Sequence, residues 1–122
     1  MDGRPAKILD NLYLGSVGAA YQLNPLKERK ITHILTVCEI LPPKFPDHFT
    51  YKVISVADDP ATRLSNYFKE CVDWINEVIN SGGVVFVHCF AGISRSSTIT
   101  IAYLMRYHNM ELREAHAFVR RQ

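Results

Sequence analysis

Cysteine is scarce in this chain. Only Cys38, Cys71 and Cys89 occur among 122 residues, and no C-x-x-C spacing appears. An odd, sparse set argues against a disulfide scaffold and a zinc site, and fits a reducing cytosol or nucleus. Charge of one sign is also scarce. The net charge is +2 with histidines neutral, and Arg120-Arg121 is the one dense basic spot, which reads as a solvated helix end. That excludes a basic stripe for nucleic acid. No apolar run approaches the roughly 20 residues of a membrane span. The start, MDGRPAKI, has no apolar segment of the kind secretion needs, and Asp2 stands where myristoylation needs glycine. No repeat, low-complexity tract or linker interrupts the chain. At 48% hydrophobic and 21% charged it has the material for the core of one domain over residues 1–122.

Within that frame, strand and helix patterns alternate. KILDNLYLG suggests two short strands about Asp10-Asn11. SVGAAYQLNPLKERK suggests helical pieces broken at Asn24-Pro25. Ile31 to Cys38 is a β-branched, apolar run expected to be a buried strand, and a proline-rich loop follows it. FTYKVISVA predicts another strand and DDPATRLSN a surface loop. Leu64, Phe68, Cys71, Ile75 and Val78 then recur at helical spacing, up to Gly82-Gly83. Val84–Val87 should be a short central strand. A largely apolar helix starts near Ser96, with its Tyr and Met residues read as packing, and ELREAHAFVRRQ should form a last amphipathic helix. Such alternation predicts an α/β fold, a twisted and mostly parallel central β-sheet flanked by α-helices on both faces. Ligands in such folds bind beyond the C-terminal ends of the strands.

The segment VVFVHCFAGISRSS occupies that position. Five residues separate Cys89 from Arg95. A loop of that length can turn several backbone N–H groups inward as an anion nest, and the following helix adds its positive end. Ala91 and Gly92 let the backbone approach closely, and Arg95 can offer a fork of donors to two phosphate oxygens. A thiol in such a field titrates at roughly 3.5–7.5 instead of about 8.5, so a sulfur nucleophile becomes available. His88 reads as an organiser of the loop, and Ser96, ahead of Ser97, as the hydroxyl that assists the sulfur. The bland alternative, a buried cysteine and a surface arginine, must also account for Gly92, the strand before and the helix after. An ester's leaving oxygen needs a proton, and Asp58 and Asp59 in the preceding loop are the candidate donors. Composition leaves the two open, although Asp59 precedes Pro60, which suits a structural turn role.

With these residues in place, VHCFAGISRSS resembles the signature loop of cysteine-dependent protein tyrosine phosphatases: His-Cys, five residues, Arg, then Ser or Thr. ILDNLYLGS, ITHILTV, ADDPATRLSNYF and AYLMRYHNMELREAHAFVRRQ extend the resemblance to the small, atypical dual-specificity phosphatases over nearly the whole chain. The resemblance implies Cys89 as nucleophile, Arg95 as phosphate clamp, Asp58 as general acid and then base, and Ser96 as helper hydroxyl. It implies a substrate cradle of His88, Phe90, Ala91, Gly92, Ile93, Ser94 and Arg95, with no metal and no cofactor. The implied reaction is hydrolysis of phosphotyrosine and phosphoserine/threonine on proteins through a cysteinyl-phosphate. The implied partners are phosphoprotein substrates, with protein kinases such as MAP kinases among them, acted on by a monomer without nucleic acid or membrane. The family pattern usually continues past Gln122 with a Pro-containing segment and a final helix, so the expectation is either a domain trimmed at its C-terminus or a compact member. Phe90, Ala91, Ile93 and Ser94 carry no charge, whereas phosphoinositide phosphatases of the superfamily carry lysines there, which favours phosphoprotein over lipid. RNA triphosphatase relatives share Cys-x5-Arg, but no basic channel is visible here. In related lipid phosphatases a cysteine near position 38 pairs with the nucleophile, so a Cys38–Cys89 disulfide is a further expectation. Two rivals remain: an idle phospho-binding module and a redox thiol protein. The first is weakened by the joint presence of Cys89, Arg95 and Asp58; the second predicts peroxide-dependent chemistry and no phosphate release.

Overall fold

The computed structural model describes residues 3–38, 41–55, 64–90 and 94–122. Short, β-branched or aromatic segments form five strands: β1 (Ala6–Leu9), β2 (Leu12–Gly15), β3 (His33–Val37), β4 (Thr50–Ile54) and β5 (Val85–His88). Their order in the sheet is β1-β2-β5-β3-β4. β1 pairs antiparallel with β2 through the Asp10-Asn11 turn, and every other pairing is parallel. β5 is central and buried along its length, which is why its sequence is a continuous apolar run.

Among the described residues, five α-helices cover the sheet: α1 (Val17–Ala20), α2 (Leu23–Glu28), α3 (Phe68–Asn80), α4 (Ser94–Tyr107) and α5 (Leu112–Arg120). The two-residue period of the strands divides the core in two. Leu35, Val37, Val85 and Val87 face α3, α4 and α5 through Cys71, Ile75, Ile99, Leu104 and Ala115. Ile34 and Phe86 point the other way, to Ala19, Ala20 and Leu26 of α1 and α2. The α/β architecture read from the sequence is therefore the one observed. Cys71 is core, as its place on the apolar face of α3 implied. At the end of α3, Gly82 has φ of 89°, and the Gly83 amide donates to the Val78 carbonyl at 2.9 Å. Only glycine takes that left-handed turn without strain.

Several boundaries differ from the sequence reading. The break between α1 and α2 falls at Tyr21-Gln22, not at Asn24-Pro25. Pro25 sits in the first turn of α2, where its missing N–H costs no bond. The helix expected from Leu64 opens as a 3-10 turn over Leu64–Tyr67. β5 runs one residue later than Val84–Val87, and α4 begins at Ser94 rather than near Ser96. Tyr103 packs in the core, but Met105 is exposed.

Candidate active site

Cys89 follows the last residue of β5, the central strand, at the C-terminal end shared by the parallel strands β2, β5 and β3. Parallel sheets bind ligands beyond that end. The Cys89 side chain is fully buried. Its Sγ lies 3.2 Å from Ser96 Oγ, itself fully buried on the first turn of α4. One contact thus ties the end of the central strand to the start of a 14-residue helix. The first turn of any helix leaves backbone N–H groups without intrahelical acceptors, and the helix dipole is positive there. Thr100 Oγ1 donates to the Ser96 carbonyl at 2.9 Å, which holds this turn from one turn further along. Arg95 is half-buried beside Ser96. Phe90, the residue after the cysteine, is exposed.

Behind the cysteine sits His88, almost wholly buried on β5. Burial pushes its imidazole down to about 4, an effect the backbone of Cys89 opposes more weakly. Burial thus favours the neutral ring and makes it a weak base. Its Nε2 lies 2.8 Å from Thr36 Oγ1 on β3, the residue directly opposite in the parallel register. Nδ1 has no hydrogen-bond partner among the described residues. The ring stacks on Phe86 at 5.6 Å with 7° between planes. On the other flank, β2 presents Gly15 opposite His88. A Cβ there would come within 2.9 Å of the Phe86 ring, so glycine is what leaves room for it.

Of the residues singled out from the sequence, the structure brings together His88, Cys89, Phe90, Arg95 and Ser96. Ser96 meets the sulfur, while Ser97 lines a separate cavity of about 600 Å³ between β1, α4 and α5. Asp58, Asp59, Ala91, Gly92, Ile93 and the side chain of Ser94 lie outside the described residues. Cys38 is a buried thiol at the end of β3, the strand beside β5, and Cys89 a buried thiol just beyond β5. Thr36 and Gly15 were not singled out. The signal for Thr36 was a lone hydroxyl within an otherwise apolar strand.

Residues 12–122 match the family model "Dual specificity phosphatase, catalytic domain". Dual specificity protein phosphatase 1 of Arabidopsis thaliana is 54% identical over 114 residues, covering 93% of this chain and 58% of that protein. Dual specificity protein phosphatase 1B of the same plant is 49% identical over 115 residues, covering 94% of this chain and 69% of that protein. Among solved structures, the human tyrosine phosphatase-like serine/threonine/tyrosine-interacting protein superposes with a TM-score of 0.92 at 33% identity, over 99% of this chain and 85% of that one. The chain thus spans a little over half the length of the first of these relatives. A central strand that ends on His88 and is followed by Cys89, a helix opening on Ser94-Arg95-Ser96 and these matches lead to one conclusion: the chain belongs to the dual-specificity phosphatase catalytic-domain family.

Proposed function

We propose that this chain is a dual-specificity protein phosphatase that hydrolyses phosphotyrosine and phosphoserine/threonine through a cysteinyl-phosphate, without a metal. The observation that carries the proposal is the buried 3.2 Å contact between Cys89 Sγ and Ser96 Oγ at the junction of β5 and α4. In the proposed reaction Cys89 thiolate attacks phosphorus. The ester P–O bond breaks as S–P forms, and the Asp58 carboxyl gives its proton to the departing oxygen. Asp58, now a carboxylate, takes a proton from water, whose oxygen attacks phosphorus. S–P breaks and its electron pair returns to sulfur, eased by a hydrogen bond from Ser96. Arg95 and the N–H groups of residues 90–95, with Ala91, Gly92, Ile93 and Ser94 among them, hold the phosphoryl oxygens throughout.

Phosphoproteins, MAP kinases among them, are the proposed substrates. The uncharged side chains of residues 90–94 support this over a phosphoinositide. Three buried cysteines, none in a disulfide, support a reducing compartment, cytosol or nucleus. A binding-only role is the second reading, favoured by the high fold similarity to a protein described as phosphatase-like and interacting. Hydrolysis of para-nitrophenyl phosphate in EDTA separates the two. The enzyme reading expects turnover, block by vanadate, loss in Cys89→Ser and slowing in Asp58→Asn. No turnover above background by the wild-type chain, with vanadate or phosphotyrosine peptide still bound, would select the binding module.

A further inference from the structure

α3, α4 and α5 form one helical layer against the sheet, and α4 packs against both of the others. Between α3 and α4 this layer opens a groove of about 520 Å³. Val72 is its buried floor, and Phe68, Ala102 and Met105 are its walls. Lys69 and Arg106 stand exposed at its rim. Met105 is 39% exposed there, an unbranched side chain that can shift to fit what enters. Asp73 engages Lys69 at 2.7 Å, but among the described residues no ion pair holds Arg106.

The same chain carries a complement to this groove. Leu112 opens α5 and, at 61%, is the most exposed large hydrophobic side chain among the described residues. Glu111 and Glu114 flank it, both exposed, and among the described residues neither is in an ion pair. A lone exposed leucine is ordinary. Here it occurs with two unmatched carboxylates, beside an apolar groove with an unmatched cation. Leu112 belongs to the helix on the other flank of α4 from α3, so it does not fill the groove of its own chain. The link between α4 and α5 is tight. Asn109 takes φ of 54°, and the His108 amide donates to the Leu104 carbonyl at 3.0 Å. Leu112 therefore stands at the same end of the layer as Arg106.

We propose that two copies of this chain associate about a two-fold axis at this end of the layer, in place of the monomer expected from the sequence. Leu112 of each chain fills the α3–α4 groove of the other, and Glu111 and Glu114 of each meet Arg106 of the other. Because groove and leucine lie on one surface, the contact is made twice and closes on itself, so growth stops at two. The patch is small, so the dimer is weak and forms with rising concentration. Arg106 lies ten residues beyond Ser96 on α4, about 15 Å along the axis, so the contact is remote from Cys89. The proposal does not depend on the phosphatase reading.

The test is sedimentation equilibrium of the full chain from about 10 μM to 1 mM, the range in which weak interfaces of this size associate. The wild type should pass from monomer to dimer with no larger species, and added salt should weaken it. Leu112→Ala and Met105→Glu should each weaken association by about tenfold or more, since each change acts twice per dimer. Both sites are exposed, so urea midpoints and turnover of para-nitrophenyl phosphate at low protein concentration should stay at wild-type values. Arg106→Glu and Glu114→Arg should each weaken the dimer about two- to fivefold, and the double variant should recover to within about twofold of wild type. A chain monomeric at 1 mM overturns the proposal and leaves the groove to a different protein. Association that survives Leu112→Ala, growth beyond the dimer, or no recovery in the double variant overturns it as well.

Discussion

Lowering the pH should unfold this protein through His88. Burial takes its imidazole from the ordinary 6.5 down to about 4. The sign follows from linkage: between these two values the unfolded chain binds a proton that the folded chain refuses, so stability falls with the pH. The loss begins near 6.5, approaches at most about 1.4 kcal/mol per pH unit, and is complete a little below 4. Over the whole window it amounts to about 3 kcal/mol, a large part of the roughly 5–15 kcal/mol of a typical domain. The carboxylates Asp10, exposed, and Asp73, half-buried, which Lys7 and Lys69 hold below their usual range, lose their stabilisation only near and below 4. His33 is also lowered by burial and titrates in the same direction, but it is only partly enclosed. The assay is urea unfolding at half-unit steps from pH 8 to 4, comparing wild type with His88→Asn. Wild type should lose stability steeply below 6.5, and the variant should follow a much flatter curve whatever its stability at pH 8. A wild-type curve flat between 6.5 and 4, or parallel curves, would refute the claim that His88 is neutral because it is buried.

Ser96→Ala should lower kcat about tenfold with little change in KM, because its hydroxyl acts when sulfur departs; stopped-flow kinetics should show a burst of alcohol release before the slowed steady state. Gly15→Ala should destabilise the fold by about 1–3 kcal/mol, since its Cβ would lie 2.9 Å from the Phe86 ring beneath His88; urea midpoints read this directly. Cys71, which burial pushes up to about 11, should resist iodoacetate at pH 8.5 in the native protein and react once urea unfolds it. Tyr107→Phe should cost up to about 1 kcal/mol by removing the hydroxyl that donates to Asp73, measured by thermal unfolding.

The apolar run before His88 and the small residues after Cys89 made the strand, loop and helix readable, because local sequence alone dictates that junction. The parallel sheet was equally legible from alternating strand and helix patterns. Boundaries moved by one to four residues where capping replaced periodicity: α4 opens at Ser94, and Pro25 lies within the first turn of α2. Thr36 and Gly15 escaped notice for a different reason. Each matters only through its register against His88, and strand register is a property of the folded sheet, not of a local window. The sequence favoured Ser96 over Ser97 as the hydroxyl near the sulfur; helix rotation turns Ser96 to the sulfur and Ser97 to another cavity.

The most direct measurement is a rapid acid quench of the wild-type chain during turnover of an aryl phosphate, with mass spectrometry of its peptides. The phosphoryl group should appear on the peptide carrying Cys89, accumulate further in Ser96→Ala and be absent in Cys89→Ser. Turnover with phosphate on another residue, or undiminished turnover in Cys89→Ser, would contradict a sulfur nucleophile at the end of β5.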